Sequence, residues 1–484
     1  MARDERSVIP QSEDFSAWYN DLVIRAELVD RWPVRGSMVI RPYGYRIWEL
    51  LQADLDGRIK ATGHQNAYFP LLIPQSFMER EAEHVEGFAP ELFTVTRVGG
   101  KELEEPLVIR PTSETVIGEM MAKWISSYRD LPMLLNQWSN VLRWEMRPRM
   151  FLRTSEFLWQ EGHTAHVSVA DATAETMLAL GFYQDVAVEA AAMATVPGEK
   201  TPRERFAGAE RTFTIEAMMR DGRALQAGTS HFMGTNFAAA FGITYTSETG
   251  TAELCHTTSW GMSTRMVGGL IMTHGDDRGL VLPPDLAPYQ VVIVPIGRGD
   301  QGQATLSAAA ELAGTLQRAG IRTHVDDRPQ LSPGFKFNDW EMRGVPIRLE
   351  LGPRDLAAGT ALMSRRLSYR QPDAGKEAIP LDAAPDLLTA ELAAFQAMLT
   401  QRAADFRDDH TATVNSWAEF TAAVATGWAL ALHCGEQACE DEIKAETTAA
   451  PRCIPLDGEP EQGPCIRCGK PSAYGKRLIF ARAY

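Results

Sequence analysis

Apolar residues recur at helical spacing in two early segments. Phe15, Trp18, Leu22, Ile24 and Leu28 predict an amphipathic helix over 15–30, and Ile47, Leu50, Leu51, Leu55 and Ile59 predict a longer one over 44–60. The pattern over 63–74 is extended and carries Pro70; proline has no N–H to give to a ladder, so such a strand belongs at an edge or interface. Residues 107–110 read as strand and turn into a helix running to 128, with Ser113 and Thr115 as caps. An alanine-rich helix is predicted over 170–193, and a hairpin over 211–234 that turns at Asp221-Gly222. The small residues of 224–231 let backbone approach a ligand. A strand at 252–258 leads to an apolar helix headed by Arg265.

The rhythm changes after the proline-rich stretch 282–288. Strand (290–295), helix (303–319), strand (321–325), helix (333–343) and strand (347–351) alternate, which predicts a small α/β domain with a partly parallel sheet. A long helix over 384–408 links it to the final segment.

A chain of 484 residues exceeds one core, so two or three domains are expected. No apolar run reaches membrane-spanning length. The charged N-terminus lacks the apolar stretch of a secretory signal, and a cytoplasmic location is expected. The net charge of −15 argues against indiscriminate nucleic-acid binding and gives no reason to expect DNA as a partner; a local basic patch on an acidic body remains compatible with RNA. Of six cysteines, Cys255 stands alone and five fall in the last 51 residues. Cys434-x4-Cys439 and Cys465-x2-Cys468 give two close thiol pairs, suited to tetrahedral structural Zn²⁺. His433 and Cys453 are the substitutes if one ligand differs, and metal-free buried cysteines are the alternative.

The densest chemistry lies in 143–163, where four arginines, three glutamates, two tryptophans, two phenylalanines and a histidine alternate with apolar residues, as in two strands joined by a loop. Guanidinium forks pair bidentately with phosphate or carboxylate. Trp159, Glu161 and His163 sit at alternate positions and so share one strand face. Taken singly, Thr112, Ser113 and Glu114 are ordinary helix-capping types, the arginines ordinary surface ion pairs, and Phe157 and Trp159 ordinary core.

The pattern Arg143-x-Glu145, loop, Arg153-x-x-x-Phe157 resembles motif 2 of the class II aminoacyl-tRNA synthetases. Pro70 after the helix over 44–60 resembles motif 1, which builds the dimer interface, and Arg265 before its helix resembles motif 3. The copy is most similar to prolyl-tRNA synthetases of the archaeal and eukaryotic type, in which the Thr112-Ser-Glu114 loop holds proline. The resemblance implies an α+β catalytic domain with an antiparallel sheet over 1–283, an α/β anticodon-binding domain over 284–390, and a small zinc-binding α+β domain over 391–484.

It also implies roles. Proline would meet Thr112, Glu114, Arg143, Trp159, Glu161, His163 and His231. ATP, entering with Mg²⁺, would meet Arg143, Glu145, Arg153, Thr154, Phe157, Gln226, Ser263 and Arg265. Arg143 and Arg265 carry the chemistry: Arg143 bridges the α-phosphate and the amino-acid carboxylate, while Arg153 and Arg265 hold the terminal phosphates and Phe157 stacks on adenine. Lys336, Arg348 and Glu350 are candidates for reading tRNA(Pro) anticodon bases, and the Tyr484 carboxylate would reach towards the active site. The bacterial editing insertion is not expected, because the stretch between Phe157 and Arg265 is short and committed to the catalytic fold. The rivals are a relative that charges threonine or serine, and a non-catalytic paralogue that binds RNA or protein; the latter should have lost one of Arg143, Arg153 or Arg265.

Overall fold

The computed structural model describes residues 8–84, 92–368 and 375–484. Its main feature is a sheet of eleven strands. The middle is antiparallel, in the spatial order Thr195–Glu199, Arg211–Met218, Ala224–Gly234, His256–Ser263, Glu156–His166, Met133–Leu142. The two-residue strand Gln65–Asn66 closes one side, parallel to its neighbour. On the other side the sheet runs on through Ala450–Pro455, Leu478–Ala481, Trp428–Ala431 and Thr411–Thr413. The C-terminal segment therefore extends the same sheet that holds the arginine-rich hairpin.

Strand Glu156–His166 shows why one face of this sheet is a core and the other a site. Gln160 accepts from Tyr183 Oη at 2.6 Å, and Tyr183 belongs to helix Val169–Asp185, which Ser168 caps by accepting from Asp171 N. Even-numbered positions of the strand thus face this helix. A Cβ on Gly162 would lie 2.2 Å from the Trp260 ring, so the indole takes the place of a side chain there. Helix Pro42–Ala61, entered through Pro42 in its first turn, lies beside it, and both feed the largest apolar core. Odd-numbered positions face away from that core and carry Trp159, Glu161 and His163.

The α/β unit matches the alternation read from the chain. Val291–Pro295 lies between Thr323–Val325 and Ile347–Leu351, all parallel, and Thr360–Arg365 and Lys376–Pro380 add antiparallel strands. Helices Gly299–Arg318 and Pro333–Met342 connect them. Helix Ala384–Asp409 then docks on the large-sheet unit, where Gln396 Nε2 donates to Glu189 O at 2.6 Å and Arg402 to His274 O at 3.1 Å.

Several expectations need correction. The first helix ends at Arg25: Glu27 adopts φ 56°, Leu28 N donates back to Val23 O, and Val29–Arg31 begins a strand. Leu28 keeps the apolar phase because, although outside the helix, it is buried in the same core. Pro70 lies between strands Gln65–Asn66 and Leu72–Pro74 and is in neither. The alanine-rich helix ends at Asp185 and widens into a π-turn over Val186–Ala190. Gly228 is confined from behind the sheet, since a Cβ would come within 2.9 Å of Tyr183.

Candidate active site

The loop 110–114 is fixed by main-chain contacts. Arg110 is buried and donates to Phe69 O at 2.7 Å and Asn140 O at 2.8 Å, and Arg143 Nε donates to Pro111 O at 2.7 Å. The capping reading of the residues that follow does not hold. Ser113 occupies the N-cap position of helix Glu114–Trp124 without a capping bond. Its hydroxyl instead donates to Glu161 Oε1 at 2.5 Å, and Thr112 donates to Glu114 Oε2. Ser259 supplies the remaining bond, to Glu114 Oε1 at 2.7 Å.

Glu161 also accepts from Gln137 Nε2 at 2.8 Å and pairs with His163 Nε2 at 3.2 Å. Burial opposes ionisation of Glu161, but these donors outweigh it and hold its carboxyl below the ordinary value of 4.5. Burial likewise opposes charge on His163, and the two carboxylates, Glu161 and Glu114, override it, raising this imidazole above 6.5. His231, stacked on Phe206 at 4.6 Å, is desolvated with weaker compensation and falls to about 4. The signs follow. His163 favours the folded state fully below 6.5 and loses that contribution as pH rises through its raised pKa. Glu161 favours it above 4.5 and loses that as pH falls through its lowered one. Histidine-selective NMR should show His163 titrating above 6.5 and His231 near 4; both titrating together near 6.5 would refute the pairing.

Two cavities of about 270 Å³ each meet here. The first is lined by the Thr112, Glu114, Trp159, Glu161 and His231 group, the second by Glu145, Arg153 and Thr154 of the loop between the strands. Arg143, Phe157, Ser263 and Arg265 line both. The Arg143 guanidinium is open to the cavity, yet sunk in the body of the protein, 5.6 Å from the Phe157 ring centre and 5.4 Å from that of Trp159. Arg265 opens helix Arg265–His274 and is steadied by Leu152 O, to which its Nε donates at 3.0 Å. Burial, followed by repulsion from Arg143 and Arg153, lowers Arg265 to about 10. Such a cluster of half-sunk cations is short of negative charge, which a polyphosphate supplies. The Thr154 hydroxyl is buried with no hydrogen-bond partner among the described residues.

Glu145 and Arg153 are paired to each other at 2.7 Å, so a nucleotide that uses both must separate them. His163 adjoins Glu161 and a cavity of about 20 Å³ behind the first, which Glu114 and Ser259 also line. Tyr484 is held by its hydroxyl, which donates to Asp221 at 2.5 Å, and by Arg149 of the arginine-rich loop, 5.1 Å from its ring centre. Lys336, Arg348 and Glu350 are buried: Lys336 donates to Asp326 O at 2.8 Å, and Arg348 pairs with Glu350 at 3.0 Å. Their side chains are held by partners within the α/β unit.

Sequence reasoning passed over Ser259, Thr212 and Phe206. Ser259 lies directly across from His163, and Ser259, Gly261 and Ser263 alternate along one face of their strand. That run of small residues at every second position was the available signal. Phe206 lies in an irregular segment with no periodicity to mark it.

In the C-terminal unit the ligand atoms of His433, Cys434, Cys439 and Cys465 all lie within 4.8 Å of one another. Cys468 Sγ is 3.6 Å from Cys434 Sγ, and Cys439 Sγ is 3.6 Å from Cys465 Sγ. Three of the four predicted cysteines thus converge with His433, and Cys468 approaches Cys434, whereas Cys453 lies apart in an apolar cluster with Trp428 and Ile479. The thiols act on one another: burial raises Cys434 to about 11 and Cys439 further still, whereas at Cys465 the N–H groups of Cys468, Arg467 and Cys434 outweigh burial and bring the thiol below 9. His433 Nε2 is buried with no partner among the described residues. Clustered thiols, amide donors to sulfur and an orphan imidazole nitrogen fit a soft divalent metal.

Sheet, motif loop and twin cavities define the core of a class II aminoacyl-tRNA synthetase, and residues 93–274 match the profile of the tRNA synthetase class II core domain (G, H, P, S and T). Residues 290–391 match an anticodon binding domain, and 417–484 match the C-terminal domain of prolyl-tRNA synthetase. The chain is 69% identical, over the whole of both chains, to proline–tRNA ligase 2 of Rhodococcus jostii (strain RHA1). It is 62% identical over the same full extent to the proline–tRNA ligase of Mycobacterium leprae (strain Br4923). It is 50% identical to that of Deinococcus radiodurans, over 99% of this chain and 96% of the relative. The chain belongs to the prolyl-tRNA synthetase family.

Proposed function

We propose that the first cavity binds proline, the second binds ATP, and the enzyme joins the two before passing proline to tRNA(Pro). The observation that carries this reading is the shared wall: Arg143, Phe157, Ser263 and Arg265 face both cavities, where an amino-acid carboxylate and an α-phosphate must meet. Glu114, fixed by Thr112 and Ser259, accepts from the cationic proline amine, while Trp159 gives the ring a flat wall. The carboxylate oxygen attacks the α-phosphorus, the bond to the bridging oxygen breaks, and diphosphate leaves with the electron pair. Mg²⁺ arriving with ATP would supply further neutralisation of the phosphate charge beside the arginines. Arg143 aligns nucleophile and electrophile, and Arg153 and Arg265 hold the departing diphosphate. A ribose hydroxyl of the tRNA then attacks the acyl carbon and AMP leaves. The non-catalytic alternative is not favoured, since all three arginines are present.

In this reading the domains run 1–283, 284–390 and 391–484, the first also forming a homodimer. Exposed Tyr68, Leu72 and Trp124 near the edge strand Gln65–Asn66 support a partner on that face. The Cys/His cluster holds Zn²⁺ in a closed structural site, through Cys434, Cys439, Cys465 and either Cys468 or His433.

The test is amino-acid-dependent ATP–pyrophosphate exchange across all twenty amino acids. Proline should give the strongest signal. Alanine and cysteine, which fit inside a proline-sized pocket, should give exchange weaker by about 10²-fold or more. Stronger exchange with any other amino acid would reassign the first cavity.

A further inference from the structure

Two β-bulges face each other across the junction between the large-sheet core and the C-terminal unit. Ile215 pairs with Gly228 and Glu216 with Gln226, so Ala227 is the extra residue on its strand. Gln226, Ala227 and Gly228 all line the first cavity. In Ala450–Pro455, Pro451 pairs with Phe480 and Cys453 with Ile479, which makes Arg452 the extra residue. A bulge re-aims the side chain it carries. Here it turns Arg452 onto Glu216, whose Oε2 accepts from both Nε and Nη2 at 3.1 Å. Lys200 Nζ completes the group at 2.8 Å from Glu216 Oε1, and Glu216 is wholly buried.

We infer that Arg452 is a positioning residue for the nucleotide: through Glu216 it sets the bulged strand segment that presents Gln226 to the cavity. It is supplied by the C-terminal unit but acts on the site in the core. The neighbouring strand pairing, Ile454 with Glu199 and Pro455 with Gly198, leaves little slack in this coupling, since a Cβ on Gly198 would lie 2.5 Å from Cys453 Cβ. Glu216 and Arg452 are also close enough to act electrostatically on Arg265. Removing Arg452 would leave the buried carboxylate with only Lys200 and the Thr214 hydroxyl, both on Oε1, and free the bulge to relax.

The inference rests on reading Gln226 and Arg265 as nucleotide contacts, so Arg265→Lys is measured alongside. Pyrophosphate exchange is followed in Arg452→Gln, Arg452→Lys and the paired Arg452→Met/Glu216→Gln variant, which removes one charge of each sign but leaves Lys200 without its carboxylate. In Arg452→Gln the KM for ATP should rise about tenfold while that for proline changes less than about twofold. Arg452→Lys should recover most of the loss, and the paired variant, folded by circular dichroism, should keep the raised KM for ATP. Unchanged KM for ATP in the folded paired variant overturns the inference, as does an equal rise in both KM values. If Arg265→Lys itself leaves the KM for ATP unchanged, the nucleotide reading fails and this inference with it.

Discussion

Arg143→Lys should lower proline-dependent pyrophosphate exchange by about 10³-fold with little loss of thermal stability. The guanidinium does three things at once that an ammonium cannot. Its Nε holds Pro111 O, its plane lies near Phe157 and Trp159, and its remaining donors face the meeting point of the two cavities. A lysine keeps the charge but loses the fork, so both the loop 110–114 and the alignment of carboxylate with α-phosphate suffer. Little stability is at stake, because the side chain lines the two cavities rather than filling the apolar core. The measurement is exchange kinetics beside a melting curve. A drop of less than tenfold in a folded variant would remove Arg143 from the centre of the reaction.

The second large effect concerns the metal. Chelation, or Cys465→Ser, should release about one Zn²⁺ per chain and lower the melting temperature by roughly 10–20 °C. Structural zinc contributes about 10–16 kcal/mol in small peptide sites, against a total folding stability of about 5–15 kcal/mol. Exchange activity should fall as well, although the cluster lies outside both cavities, because strand Ala450–Pro455 pairs directly with Thr195–Glu199 and Arg452 with Glu216. Elemental analysis and calorimetry, before and after chelation, decide it. Protein that is metal-free as purified and melts unchanged after chelation leaves the cluster as reduced thiols only.

What could be read from the chain, and what could not, divides along physical lines. Trp159, Glu161 and His163 were legible as one face because a strand alternates strictly, and the α/β unit because its strands and helices follow one another in sequence. Ser259 was not legible, since its place opposite His163 depends on the register between strands distant in sequence. The first helix was drawn too long because Leu28 keeps the helical phase for a different reason, its burial in the core after the chain has left the helix. Ser113 looks like a cap by residue type and sits in the cap position, yet Glu161 claims its hydroxyl. Cys434, Cys439, Cys465 and Cys468 were legible from spacing, but the approach of His433 to the first three is settled only by the fold.

The sheet that crosses from the core into the C-terminal unit also bears on how the chain folds as it is made. Strand Thr195–Glu199 emerges from the ribosome early and has Arg211–Met218 to pair with on one side. Its other partner, Ala450–Pro455, is synthesised only after the whole α/β unit. Until then one edge of the sheet is open, and an unpaired edge invites pairing between nascent chains. The buried Glu216 meanwhile lacks Arg452. Synthesis and packing are thereby tied together: the core sheet keeps one edge open, and Glu216 stays without its guanidinium partner, until residues 450–455 have been translated.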